Sequence, residues 1–136
     1  MPELAVLLTK IEPPRLRSGH VPRAELVDQL REGLHRRLTL IEAPAGAGKT
    51  TLLVEWHASE RDAIPFAWLS LDAGDNDPVR FWTYVSAALR HAGIDIPRSV
   101  DSAIAAPAVA PTDLGVPELL NALTAAKDGV VLVLDD

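Results

Sequence analysis

The chain has no cysteine, which excludes a disulfide framework and any thiolate metal centre. It has no basic stripe either. Lys and Arg number 13 against 19 Asp and Glu, the net charge is −6, and the cations are scattered along the chain. Nucleic-acid binding needs a concentrated basic footprint, so this stretch is not expected to grip DNA or RNA by itself. No apolar run approaches the ~18 residues that cross a bilayer. The opening Met1 to Leu8 is too short for a signal peptide and lacks its basic start. The expectation is a cytoplasmic chain with no membrane partner. The histidines His20, His35, His57 and His91 are dispersed without metal-ligand spacing, and none is assigned chemistry.

What is present is a globular composition: 136 residues, 48% hydrophobic and 24% charged. A chain of this length buries about two-thirds of the surface it exposes when unfolded, enough for a core.

One stretch organises the rest: Ala43-Pro44-Ala45-Gly46-Ala47-Gly48-Lys49-Thr50-Thr51. The apolar run Leu38 to Ile41 leads into it as a strand, and a helical pattern with Leu52, Leu53 and Trp56 leads away. Strand, glycine-rich turn, Gly-Lys-Thr and helix are the context of a phosphate-binding P-loop. Gly46 and Gly48 lack Cβ, so the backbone can adopt positive φ and turn its N–H groups inward as an anion nest. A helix starting near Lys49 adds uncommitted donors and the positive end of its dipole. Lys49 is placed to reach the β- and γ-phosphates and the Thr50 hydroxyl to ligate Mg²⁺. Thr51 adds a donor toward the α-phosphate. The strict motif opens on glycine, and here that position is Ala43; the Gly-Lys-Thr end that holds the phosphates is intact.

In chain order, residues 1–20, with Pro13, Pro14 and Gly19, read as an extended arm, and 21–136 as one domain. Leu26, Val27, Leu30 and Leu34 recur at helical spacing behind Val21-Pro22-Arg23, with Arg31, Arg36 and Arg37 on the solvated side. Phe66 to Leu71 is the apolar run of a strand covered on both faces. Asp77 before Pro78 is a helix N-cap with proline at the first position, and Phe81, Trp82, Val85 and Leu89 form that helix's buried face, which stops near Gly93. Trp82 with Tyr84 can be read as a base-stacking pair, but helical spacing assigns Trp82 to the core. A short helix is predicted over Ser99–Ala105, and another over Pro117–Ala126 with Leu119, Leu120 and Leu123 inward, ended by Gly129. Val130 to Leu134 form a last buried strand that delivers Asp135 and Asp136 at its C-terminal end. Ligands of open α/β sheets sit beyond that end of the strands. Asp135 is therefore the expected Mg²⁺ carboxylate of a Walker B site, and Asp136 the general base or water-orienting group.

These landmarks together resemble the ATP-binding domain of the large LuxR-type bacterial regulators, the MalT-like branch of the signal-transduction (STAND) NTPases. The features that carry the resemblance are Lys10-Ile11 through Pro14, Val21-Pro22-Arg23, the 43–52 loop, Trp56, Trp68-Leu69-Ser70-Leu71-Asp72, Asp75-Asn76-Asp77-Pro78, Phe81 with Tyr84, and the terminal Asp135-Asp136. The resemblance implies a three-layer α/β P-loop NTPase core on a parallel sheet, truncated after the Walker B strand. It implies ATP or ADP with Mg²⁺ as ligand, a nucleotide-dependent signalling switch, self-association in the full-length protein, and DNA contact only through a C-terminal helix-turn-helix absent here. It also places Arg23 at the base or ribose. Weak or absent ATP hydrolysis is expected of such a fragment. A small P-loop kinase or phosphotransferase and an inactive NTPase fragment are the alternatives.

Overall fold

The computed structural model describes residues 5–126 and 129–136. The chain falls into two compact units, Met1–Pro13 with Ile64–Asp136, and Pro14–Ala63. Each is described by itself.

The first unit is α/β. Strand β1 (Phe66–Ser70) is buried at four of its five positions, as its unbroken apolar run requires. It pairs in parallel with β2 (Val131–Asp135), Trp68 opposite Val133 and Ser70 opposite Asp135. The ladder is extended by Val131 N–H to Pro65 O and Leu71 N–H to Asp135 O. Helix α1 (Leu8–Ile11) is a single turn inside the expected extended arm, and it buries Lys10 and Ile11. A 3₁₀ turn, Ala73–Asn76, is held by a capping box between Asp72 and Asp75. Helix α4 (Pro78–His91) then starts as the sequence requires, with Asp77 accepting from Val79 N–H and proline at the first turn. Helices α5 (Arg98–Ile104) and α6 (Gly115–Thr124) follow.

The core of this unit gathers Ile11, Leu69, Tyr84, Val85, Leu89, Ile96, Val100, Ile104 and Leu119. Burying a leucine-sized side chain contributes about 1.5–3 kcal/mol, so this cluster holds the helices on β1. Tyr84 is the fully buried aromatic of α4, while Trp82 is half-buried and meets Phe81 edge-on with ring centroids 5.0 Å apart. At 2% exposure Tyr84 offers no face for a base to stack on, and its hydroxyl accepts the Leu7 N–H at 3.2 Å. Leu120, expected inward, is 56% exposed, because α6 turns the Leu119 side to the core.

The second unit is helical. Helix α2 (Ala24–Glu32) buries Val27 and Leu30 and ends in a 3₁₀ turn, Gly33–His35. Helix α3 (Lys49–Glu60) buries Leu52, Val54, Trp56 and Glu60. Arg31, expected on the solvated side, joins the two helices through Glu60 and also pairs with Asp28 at 2.9 Å.

Of the strands expected at 38–41 and 130–134, the second forms as β2 and the first is corrected. Residues 38–41 take no strand assignment, with Leu38 and Leu40 80% and 75% exposed; a strand exists only with a ladder partner, and none is assigned to this run among the described residues. Among the described residues the sheet is accordingly two-stranded, β1 and β2 in parallel. Strand β2 was expected to be buried throughout, yet only Val133 is; Leu132 and Leu134, on the opposite face of the pleat, are 38% and 46% exposed.

Candidate functional site

In the helical unit, the loop from Ala43 to Gly48 delivers the chain into α3. Ala47 N–H closes a turn on Pro44 O at 3.1 Å. Gly46 and Gly48 have φ of +81° and +84°, a region that costs other residues about 1–2 kcal/mol; the sequence places glycine at both. Gly48 is the N-cap of α3, and no side chain caps the helix. The first-turn N–H groups at Lys49, Thr50 and Thr51 thus belong to a helix end with its positive dipole undiminished by a carboxylate. The side of the loop at Pro44 to Ala47 is exposed, whereas Ala43, Gly48, Lys49, Thr50 and Thr51 are half-buried.

Arg23 stands against this loop. Its backbone N–H is held by both Glu55 carboxylate oxygens, at 3.0 and 3.2 Å. Its guanidinium donates to Ala47 O at 3.2 Å and Gly48 O at 2.6 Å. A Cβ on Gly48 would fall 2.8 Å from Arg23 Nη2, so the contact needs glycine there for space as well as for φ. Beside it opens a cleft of about 450 Å³ lined by Arg17, His20, Val21, Arg23, Gly48 and Thr51. The structure therefore brings Arg23 together with Gly48 and Thr51 in one unit.

The other expected site residues lie in the α/β unit. Asp135 closes β2, and Asp136 follows it, exposed, on a cleft of about 400 Å³ with Leu71, Asp72, Asp75, Asn76 and Phe81. The C-terminal ends of both strands thus carry carboxylates, as the position of Asp135 and Asp136 after an apolar run suggested.

Sequence reasoning assigned no role of its own to Lys10, whose ammonium is the centre of this strand end. It donates to Ser70 O at 2.6 Å, Asp72 Oδ2 at 2.9 Å and Asp75 Oδ2 at 2.6 Å, and lies 5.2 Å from the Tyr84 ring centroid. Burial opposes its charge, but the hydrogen bonds and charges of Asp75 and Asp72 outweigh burial and raise its pKa above the ordinary 10.5. The Asp72 carboxyl is lowered in turn, first by the hydrogen bond from Lys10 and then by the Gly74 N–H. Arg80 stands 3.5 Å from Asp72 and 3.7 Å from Asp75. Among the described residues no group of three or more His, Asp or Glu side chains is gathered to hold a metal ion, and no helix is long and apolar enough to cross a membrane.

No protein-family model matches the chain. Over 82 residues, 60% of its length, it is 43% identical to the HTH-type transcriptional regulator MalT of Yersinia enterocolitica. This chain is similar to MalT-type transcriptional regulators. The MalT of Cronobacter sakazakii is 44% identical over 72 residues, 53% of the chain. The serine/threonine-protein kinase PknK of Mycobacterium tuberculosis is 41% identical over 83 residues, 60% of the chain. The aligned stretch spans 9% of the Yersinia MalT and 8% of PknK, so the chain covers only a small part of the curated relatives it matches. The likeness to MalT is therefore to one segment of a much longer regulator.

Proposed function

We infer that the chain is the nucleotide-binding module of a MalT-like, LuxR-type regulator, a P-loop domain that takes ATP or ADP with Mg²⁺ and serves as a nucleotide-dependent switch. The observation that carries this reading is the pair of left-handed glycines, Gly46 and Gly48, delivering an uncapped helix that begins with Lys49-Thr50-Thr51. Fixed backbone donors at a helix start are what a polyphosphate requires. Loop residues 43–48 cradle the phosphates in this reading, with the Lys49 ammonium on the β- and γ-phosphates and Thr51 near the α-phosphate. The cleft beside Val21 and Arg23 accommodates the nucleoside.

The donor set suits Mg²⁺, which takes one or two carboxylates or hydroxyls and completes its octahedron with water and phosphate. The Thr50 hydroxyl at the start of α3 would hold it, and the bound ion would neutralise phosphate charge; Asp135, in the α/β unit, is proposed by itself for the metal-binding Walker B role. Asp136 would orient a water. Hydrolysis by this chain alone is expected to be weak. The three-layer core belongs to the same proposal, as do a cytoplasmic setting, self-association of the full protein, and DNA contact through a helix-turn-helix elsewhere in it. One short stretch shared by transcriptional regulators and a protein kinase favours a common regulatory module over kinase chemistry of its own.

The test is calorimetric titration of the chain with MgADP and MgATP. Binding is expected, with a loss of at least about tenfold in Lys49→Ala, the loss of a charge-assisted hydrogen bond. No binding to the unmutated chain, or equal binding to Lys49→Ala, would overturn the reading.

A further inference from the structure

We propose that Arg23 is a positioning residue of the phosphate loop: its guanidinium sets the direction of the two amides that point at the phosphates. This rests on the nucleotide-binding reading above and assigns Arg23 a role beyond lining the nucleoside cleft.

A trans peptide is planar, and its C=O and N–H point in opposite directions. Arg23 donates to the carbonyls of Ala47 and Gly48 at 3.2 and 2.6 Å. Those carbonyls share their peptide planes with the N–H groups of Gly48 and Lys49. Drawing both oxygens toward the guanidinium turns both N–H groups away from it, toward the far face of the loop. Without Cβ, Gly48 samples positive and negative φ with similar ease. Its carbonyl is held by the Leu52 N–H of α3 at 2.9 Å together with Arg23, and Arg23 extends that restraint one plane back, to Ala47 O. A guanidinium is suited to this, since its planar fork presents several donors at fixed angles to neighbouring acceptors.

Arg23 is itself anchored. Glu55, on the second turn of α3, holds the Arg23 backbone N–H through both carboxylate oxygens. The helix that begins at the loop thus fixes the main chain of the residue whose side chain fixes the loop. The ring of contacts runs Glu55, Arg23, Gly48 and back along α3. A Cβ built on Gly48 would fall 2.8 Å from Arg23 Nη2, so a side chain at 48 would displace the guanidinium from the loop.

A base or ribose contact and a positioning role differ in one measurable respect. Inorganic tripolyphosphate has no base or ribose, so a residue that only touches the nucleoside leaves its binding unchanged. The experiment titrates the 136-residue chain, Arg23→Ala and Arg23→Lys with tripolyphosphate and with MgADP, while following the Gly48 and Lys49 amide resonances. Arg23→Ala is expected to bind tripolyphosphate about tenfold more weakly, as for loss of hydrogen bonds to a charged group, with both amide resonances shifted in the free protein. Arg23→Lys keeps the charge but not the planar fork, and is expected to recover only part of the affinity.

If Arg23→Ala does not fold, as judged by its thermal transition, the lysine variant carries the test alone. Tripolyphosphate binding unchanged in the folded variants, or fully restored by lysine, overturns the positioning role while leaving nucleotide binding intact. An unmutated chain that binds neither tripolyphosphate nor MgADP overturns both readings.

Discussion

A lysine with 6% of its side chain exposed has to find its anions inside the protein, and Lys10 finds Asp75, itself 5% exposed, and the more open Asp72. Breaking a buried pair from one side costs about 3–5 kcal/mol, and here the Asp72 N–H at 2.8 Å and Arg80 at 3.7 Å stay with Asp75, which keeps the cost at the low end of that range. Lys10→Met is therefore expected to lower the unfolding free energy by about 3 kcal/mol, read as a fall in the urea midpoint at unchanged slope. The pH dependence has a fixed sign. A pKa raised on folding stabilises fully below the unfolded value of 10.5 and is lost as pH climbs through the folded value. Asp72, lowered from 3.8, contributes above that value and is lost as pH falls through its depressed one. Both limbs of the stability profile are expected to flatten in Lys10→Met. Lys10 was invisible as a structural residue because its partners stand 62 and 65 positions away, while a lysine in a proline-flanked arm looks solvated. Arg31 hid its pairing with Glu60 for the same reason.

At the scale of elements, local chemistry was legible and non-local pairing was not. Asp77-Pro78 announced the start of α4, and the 99–105 expectation matches α5 within a residue at each end, because caps and helical spacing are written in neighbouring residues. The glycine conformations at 46 and 48 were legible for the same reason. Strand status at 38–41 and two-sided burial of β2 depend on partners elsewhere in space, which a run of leucines and valines cannot specify. The closeness of α5 and α6 was equally hidden. Gly115 packs so tightly on α5 that an added Cβ would lie 2.8 Å from Ile104 Cα and 2.9 Å from its backbone nitrogen. Backbone atoms cannot rotate aside, so the two helices must separate. Gly115→Ala gains helix propensity of under about 1 kcal/mol against an overpacking cost of about 1–3 kcal/mol. The expected outcome is net destabilisation in urea unfolding; a stabilised variant would contradict the packing.

Over the whole molecule, two opposing terms decide whether copies associate. Leu38 and Leu40 are exposed in one unit, and Leu132 with Leu134 along β2 in the other; exposed apolar side chains favour contact between copies, on a strand through edge pairing as well. The net charge of −6 repels like copies, but over a distance that shrinks from about 30 Å at 0.01 M salt to about 8 Å at 0.15 M. Repulsion therefore dominates in dilute salt, and apolar contact dominates once it is screened. Sedimentation velocity is expected to show a weight-average coefficient that rises with protein concentration, more steeply in higher salt. Replacing Leu132 and Leu134 by threonine puts β-branched residues, which suit a strand, in place of leucine and removes most of the apolar contact, so association should weaken with little change in the thermal transition. The same change at Leu38 and Leu40 should act independently, which separates the contribution of the two faces. A chain that sediments as a monomer at every concentration and salt would mean that these leucines are too few, or too scattered, to outweigh the cost of bringing two copies together.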